Sequence, residues 1–260
     1  MTIDNLLAAD VVTANGELVS ASAEDHPDLF WGIRGGGGNF GVVTSFEFRL
    51  HPVGPQVLSG LIVHPFRAAT SALQFYRDFT ARASDDLSVW VVMRKAPPLP
   101  FLPEEVHGTG ILAFAVLYSG DMEQGEKEVE ELRRFGSPIA DAVMPHEFTA
   151  FQAAFDPLLE PGARNYWRSH NFTAFTDDAI ATVLEYAGDD DRCIAWARQF
   201  FDVTAPHATG GVYVNFMPDD EQDRVGAAYG ENFERLLALK RKYDPDNLFR
   251  LNQNIDPGSL

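Results

Sequence analysis

One feature constrains this sequence more than any other: four consecutive glycines that follow Arg34. Ordering four glycines costs more backbone entropy than ordering other residues, so folded proteins keep such runs where the backbone needs positive φ or close approach. A mobile surface loop is the alternative, but the adjacent Asn-Phe-Gly favours close packing. We therefore expect a ligand beside this stretch.

These glycines do not form a common nucleotide-binding loop. The spacing Gly-x-Gly-x-x-Gly that begins at Gly36 matches the dinucleotide fingerprint, but that fingerprint needs a strand before it and a helix after it. Here residues 27–33 predict a short helix with proline in its first turn, and the alternation over residues 42–50 predicts a strand. A Gly-Lys-Ser/Thr triphosphate loop is also absent from the sequence. The pattern thus excludes a Rossmann domain.

Composition limits the possible partners. With 38 acidic and 20 basic residues the net charge is -18, which repels phosphate, so we expect neither nucleic acid nor a membrane as partner. The single cysteine, Cys193, permits no internal disulfide or thiolate cluster, and the seven histidines form no helical pair, so no metal site is predicted. The first twenty residues do not resemble a secretion signal, and we expect a cytoplasmic protein.

Periodicity along the chain predicts an α+β fold. Strand patterns at 7–13 and 17–21 flank a turn signal, and their exposed edge predicts a tendency to form homo-oligomers. Strands at 57–63, 87–93 and 111–118 alternate with helices near 66–79 and after Asp121, which indicates an antiparallel sheet backed by helices. Helices at 176–186 and 193–201 follow without a strand between them. A strand at 212–216 and an amphipathic helix at 232–243 complete the prediction.

Several stretches together resemble the berberine-bridge-enzyme-like FAD-linked oxidases. They are Thr2-Ile-Asp-Asn-Leu-Leu, Val11-Val-Thr-Ala-Asn-Gly, Asp28-Leu-Phe-Trp-Gly-Ile-Arg-Gly-Gly-Gly-Gly-Asn-Phe-Gly-Val-Val-Thr, Tyr213-Val-Asn-Phe and Tyr243-Asp-Pro-Asp-Asn-Leu-Phe-Arg-Leu-Asn-Gln-Asn-Ile. The resemblance implies an FAD-binding PCMH-type domain formed by residues 1–56 and completed by 206–260, with a substrate domain at 57–205 that is shortened near 188–191. It implies FAD as cofactor, a small-molecule substrate, and oxidation of an alcohol, sugar or secondary-metabolite carbon.

The resemblance also assigns residues. Tyr213 would act as or near the catalytic base, and Asn215, Asn252 and Asn254 would contact the flavin ring or position Tyr213. The stretch that would run beside the flavin consists of Gly35, Gly36, Gly37, Gly38, Asn39, Phe40, Gly41, Val42 and Val43. A phenol with a pKa near 10 serves as a base only when a positive group or the flavin lowers that pKa. From the residues alone, Tyr213 fits a core strand position, and the three asparagines fit local turns equally well. Tyr166 is a candidate lining residue of the substrate pocket.

The sequence departs from the family pattern at its start. The family's subdomain with the pyrophosphate loop and the His and Cys that bond to flavin has no counterpart here, so bound FAD is expected to be non-covalent. Two hypotheses follow. One is an FAD-dependent oxidase; the other is an inactive remnant, or one part of a split flavoprotein that receives the missing subdomain in trans and by itself binds FAD weakly or not at all.

Overall fold

A computed structural model of the chain describes residues 1–156, 168–187, 193–217, 219–251 and 253–259. Its backbone contacts divide into two units. Within the described residues, the first unit contains Met1–His51, residues 168–173 and the chain from Ala208 onward, and the second contains the intervening segments. The first unit is thus assembled from distant parts of the sequence.

The first unit is built on a three-stranded antiparallel sheet in the order β2-β1-β3, formed by β1 (Leu6–Val12), β2 (Leu18–Ser22) and β3 (Val42–Phe48). Val11 faces Val19 and Val43 across the ladder, and it is fully buried. Helix α1 (Pro27–Ile33) starts with proline at its first position, where the missing N–H costs no hydrogen bond.

Two helices from the end of the chain complete this unit, α7 (Val225–Tyr229) and α8 (Phe233–Tyr243). Leu236, Leu237 and Leu239 of α8 are buried with Leu29 and Phe30 of α1 in one apolar core. That core also contains Phe40 and Ile255, so it fixes the glycine stretch and the C-terminal segment relative to α8.

The second unit contains a five-stranded antiparallel sheet. Its strands are β4 (Gln56–Pro65), β5 (Leu87–Lys95), β6 (Gly110–Tyr118), β7 (Ala140–Asp141) and β8 (Met144–Glu147), ordered β5-β6-β4-β7 with β8 also paired to β4. Its helices are α2 (Ala69–Thr80), α3 (Met122–Arg134), α4 (Phe148–Ala153), α5 (Asp177–Tyr186) and α6 (Cys193–Thr204). A core that includes Leu58, Leu73, Phe114 and Leu132 joins β4 and β6 to α2 and α3.

The predicted α+β class is confirmed. The predicted strand at 212–216 is wrong: residues Val214–Phe216 form a 3-10 turn, closed by a 2.8 Å bond from Phe216 N to Tyr213 O. The residues around Tyr166 also suggest a strand, over 165–172; of these, 165–167 lie outside the described residues, and in the remainder Phe172 makes an isolated bridge with Ala208. None of the helices that the structure describes has the length and apolar character needed to span a bilayer.

Candidate functional site

A cavity of about 260 Å³ lies within the first unit, beside the first two glycines of the run. Its walls come from the end of α1, the segment that follows Gly211, and the junction of α7 with α8. The lining residues are Trp31, Gly32, Arg34, Gly35, Gly36, Val212, Tyr213, Val214, Ala228, Tyr229, Asn232 and Leu236. Gly35, Gly36 and Tyr213, three of the sequence-predicted residues, therefore share one cavity wall.

Two glycines of the run are required for different physical reasons. A Cβ on Gly36 would lie 2.6 Å from both the carbonyl oxygen of Gly32 and the ring of Phe40, closer than real Cβ atoms come. Gly37 has open space around it, but its φ of 62° lies in the left-handed region, which costs an L-residue roughly 1–2 kcal/mol. Close packing therefore requires glycine at Gly36, and a left-handed backbone conformation favours it at Gly37.

The side chain of Asn39 joins the glycine stretch to the C-terminal segment. Asn39 is 1% exposed, and its Nδ2 donates to the carbonyl oxygens of Gly36 (2.8 Å) and Gln253 (3.1 Å). Its Oδ1 accepts a 3.0 Å bond from the backbone N–H of Ile255. The glycine stretch and the C-terminal segment therefore meet at Asn39, and both donors of its amide are used in holding them together.

Tyr213 stands at the cavity with its hydroxyl held by Asn215. It is 38% exposed, and its ring packs edge-on against Phe216 with 5.2 Å between centroids. Asn215 Nδ2 donates a 2.8 Å hydrogen bond to Tyr213 Oη. Because the amide occupies an acceptor site of Oη, the phenolic proton is directed away from Asn215. The 3-10 turn, rather than a strand, sets this geometry by bringing positions 213 and 215 together.

The remaining predicted residues lie in different surroundings. Phe40 is fully buried in the core and Gly41 is buried against β1, whereas Val42 is 54% exposed. The Oδ1 of Asn254 is buried and has no hydrogen-bond partner among the described residues. Tyr166 and Asn252 lie outside the described residues. Their proposed roles, and those of the other candidates, stay predictions.

The cavity includes aromatic and cationic residues that sequence reasoning missed. Trp31 and Tyr229 line it, and burial raises the pKa of the Tyr229 phenol, which keeps that residue neutral. Arg34 also lines the cavity and lies 4.6 Å from the Phe30 ring centroid. The guanidinium of Arg235 lies 3.8 Å from the centroid of the Trp31 ring. Arg34 immediately precedes the glycine run and Trp31 lies three residues before Arg34, and that closeness in sequence is the signal by which they could have been found.

This arrangement suits a flat, aromatic ligand. Aromatic side chains supply contact area to one side of a ring, and glycine backbone without Cβ allows another to approach closely. Two guanidinium groups near the cavity favour negative charge, although the protein as a whole carries a net charge of -18.

Comparison with solved structures shows proteins of similar fold. The crystal structure of 6-hydroxy-D-nicotine oxidase from Arthrobacter nicotinovorans superimposes with a TM-score of 0.80 at 21% identity, covering 98% of this chain and 67% of that one. The likeness confirms the predicted fold, an α+β chain with the architecture of FAD-binding PCMH-type oxidases.

Sequence comparisons show what the chain is similar to. Residues 212–256 match the family model "Berberine and berberine like". The FAD-linked oxidoreductase aurO of Gibberella zeae is 26% identical over 95% of this chain and 56% of its own length. The (R)-6-hydroxynicotine oxidase of Paenarthrobacter nicotinovorans is 23% identical over 98% of this chain and 66% of its own length. The predicted resemblance to the berberine-bridge-enzyme-like FAD-linked oxidases is confirmed, and the chain spans less than two thirds of either relative.

Proposed function

We propose that the protein is an FAD-dependent oxidoreductase that oxidises an alcohol, sugar or secondary-metabolite carbon. The observation that carries this proposal is the shared cavity wall, in which glycine backbone at Gly35 and Gly36 stands with the phenol of Tyr213. The relatives support it because the matched proteins are FAD-linked oxidoreductases and a hydroxynicotine oxidase.

The residues present fit a flavin ring. The cavity of about 260 Å³ is near the lower end of small-molecule pockets, which measure about 300–1,000 Å³, so it suits a ring system rather than a whole dinucleotide. Trp31 and Tyr229 offer apolar contact, and Gly35 and Gly36 offer backbone without side chains.

In this proposal each residue of the chain has a distinct task. FAD, when bound, supplies the acceptor for a hydride from the substrate carbon. Tyr213 Oη acts as the base that takes the proton from the substrate. Asn215 fixes the position of Oη through its 2.8 Å hydrogen bond. Arg34 adds positive charge at the cavity wall, which favours an anionic ligand or a developing anion.

A second candidate is a chain that by itself binds flavin weakly or not at all and receives further contacts from another polypeptide. The size of the cavity favours it, because the ring-sized space leaves the adenosine diphosphate portion without a comparable site among the lining residues. Homo-oligomerisation and a cytoplasmic location, both expected from the sequence, remain part of the proposal.

The test is a titration of the purified chain with FAD, in which binding is measured as quenching of the flavin fluorescence. The variant Ala228→Phe fills the cavity, whereas Ala227→Phe adds the same ring at an exposed position that does not line it. The cavity assignment is supported if FAD binds saturably with a Kd of about 10 μM or lower. Ala228→Phe should then weaken binding at least tenfold, and Ala227→Phe should leave it unchanged. Equal effects of the two variants contradict it.

Catalysis is tested on the same samples under anaerobic conditions. A panel of alcohols, sugars and hydroxylated heterocycles should include a compound that bleaches flavin absorbance, and Tyr213→Phe should bind FAD normally while slowing bleaching by 10²–10⁴-fold, roughly the contribution of a general base. A folded chain whose Kd for FAD exceeds about 1 mM would instead favour the second candidate.

A further inference from the structure

Lys240 and Asp244 form an ion pair with no solvent exposure. Both side chains are 0% exposed, and Lys240 Nζ lies 2.5 Å from Asp244 Oδ2, one helical turn away at the end of α8. Lys240 Nζ also donates to the carbonyl oxygens of Asn39 (3.1 Å) and Phe249 (2.8 Å). All three ammonium protons therefore have acceptors.

Asp244 is equally well satisfied. Its Oδ1 accepts from the backbone N–H of Leu248 at 2.7 Å, and its Oδ2 accepts from that of Phe249 at 2.9 Å. Burial alone would raise the pKa of Asp244, but the hydrogen bonds from Lys240 and from these two backbone groups hold it below its ordinary value. The carboxylate is thus charged and organises the turn after α8.

A buried ion pair of this kind is weak evidence for stability. Removing two charges from water costs several kcal/mol per ion, and well-packed apolar replacements of such pairs are often neutral or stabilising. The informative feature is what the pair contacts. Lys240 holds the backbone of Asn39, the Asn39 side chain holds Gly36, and Gly36 forms part of the cavity wall.

We propose that the Lys240–Asp244 pair is a positioning device that fixes the glycine stretch and the C-terminal segment together and thereby sets the shape of the cavity. One chain of hydrogen bonds runs from Lys240 through Asn39 to Gly36. The other runs from Asp244 to the turn at Leu248 and Phe249, and Asn39 again binds this side of the chain at Ile255. Only the identity of the cavity ligand rests on the proposed function.

The helix itself ties the pair to the cavity. Leu236 lies one turn before Lys240 on α8, and it lines the cavity beside Gly36. A shift of α8 or of the Asn39 backbone would therefore move two wall residues at once. Lys242, two positions further on, forms an exposed ion pair with Asp28 and does not line the cavity, so it offers a matched control.

The main test removes both charges in Lys240→Met/Asp244→Leu, with Lys242→Met as control. The mobility of the glycine stretch is measured as the rate of tryptic cleavage after the exposed Arg34. This rate is compared with the rate of cleavage after Arg49, which is exposed in the same unit. The double variant leaves the carbonyls of Asn39 and Phe249 and the N–H groups of Leu248 and Phe249 without these partners, so its urea midpoint should fall. At urea concentrations where it is still folded, we expect cleavage after Arg34 to rise at least tenfold relative to cleavage after Arg49, and Lys242→Met to change neither quantity. An unchanged cleavage ratio in a folded double variant would overturn the proposal, as would cleavage that rises only in step with global unfolding.

A measurement on the wild-type protein keeps the proposal testable if the double variant does not fold. The amides of Ile255 and Phe249 donate to Asn39 and Asp244, so hydrogen exchange at both should be slow, and exchange within seconds would contradict a fixed network. Titration of the wild-type protein with FAD then separates the two proposals. If the double variant is cleaved faster after Arg34 but the wild type does not bind FAD, the positioning role is supported and the flavin assignment is contradicted.

Discussion

Substituting alanine for Gly36 tests the packing that encloses the cavity. The new Cβ would lie 2.6 Å from the Gly32 carbonyl oxygen, 2.6 Å from the Phe40 ring and 3.0 Å from Leu236 Cδ2. The backbone cannot simply recede, because Gly36 N donates to Gly32 O at 2.8 Å and Gly36 O accepts from Asn39 Nδ2 at 2.8 Å. Either these bonds lengthen or the buried Phe40 ring moves.

The expected cost follows from overpacking in a closely packed core, about 1–3 kcal/mol. For a chain of this size each kcal/mol lowers the melting temperature by roughly 2–4 °C, which gives a decrease of about 2–12 °C. Gly226→Ala is the control. Gly226 lies inside α7, and a Cβ added there would have no atom within 4 Å, so alanine should be neutral or stabilise by about 0.5–1 kcal/mol.

Urea unfolding followed by tryptophan fluorescence and circular dichroism measures both variants. Gly36→Ala should lower the urea midpoint without changing the slope, and Gly226→Ala should not lower it. If Gly36→Ala costs less than about 0.5 kcal/mol, a level typical of surface substitutions, the glycine stretch is not packed between α1 and α8 and our account of the cavity wall fails.

Two further predictions concern the second unit. His64 is 1% exposed between the rings of Phe114 and Phe135, and burial lowers its pKa. The stability contributed by its neutral form is therefore fully present above pH 6.5, roughly the pKa in the unfolded chain. That stability is lost as the pH falls through the pKa of the folded protein. Urea midpoints measured from pH 7.5 to 5 should fall less steeply for His64→Phe, and an unchanged slope would refute this. Asp121→Ala removes the 3.0 Å cap to Gln124 N and should cost about 0.5–2 kcal/mol by thermal unfolding, whereas the exposed Glu123→Ala control should cost less than about 0.5 kcal/mol.

Elements with local signals were predictable from the sequence. Pro27 begins α1 where its pattern indicated, and the side chains of Asp121 and Thr176 cap α3 and α5. These signals act within four residues of themselves, so tertiary packing does not need to be known. The strands β7 and β8, with two and four residues, are too short for an alternation to show, and they were missed.

The segment around Tyr213 shows where local reasoning fails. Val, Tyr, Val and Phe favour a strand, but a strand also needs a neighbour that accepts its backbone bonds. Here Phe216 N bonds to Tyr213 O within the same turn. The turn brings Asn215 Nδ2 to the Tyr213 hydroxyl, so the failure of the strand prediction coincides with the candidate site, as is expected where geometry serves function.

Lys240 was equally hidden, because a lysine on an amphipathic helix normally faces water. Its acceptor at Asn39 is 201 positions away in the sequence, and no local pattern indicates such a contact. Yet the glycine stretch needs a distant partner. Fixing the backbone of residues 35–39 costs of the order of 5–10 kcal/mol, and four of these five residues have no side chain with which to offset it. Order in this stretch must therefore come from bonds to its backbone and to Asn39, and those bonds lead to Lys240, Gln253 and Ile255. The shape of the cavity thus depends on the end of the chain as much as on the glycines that form its wall.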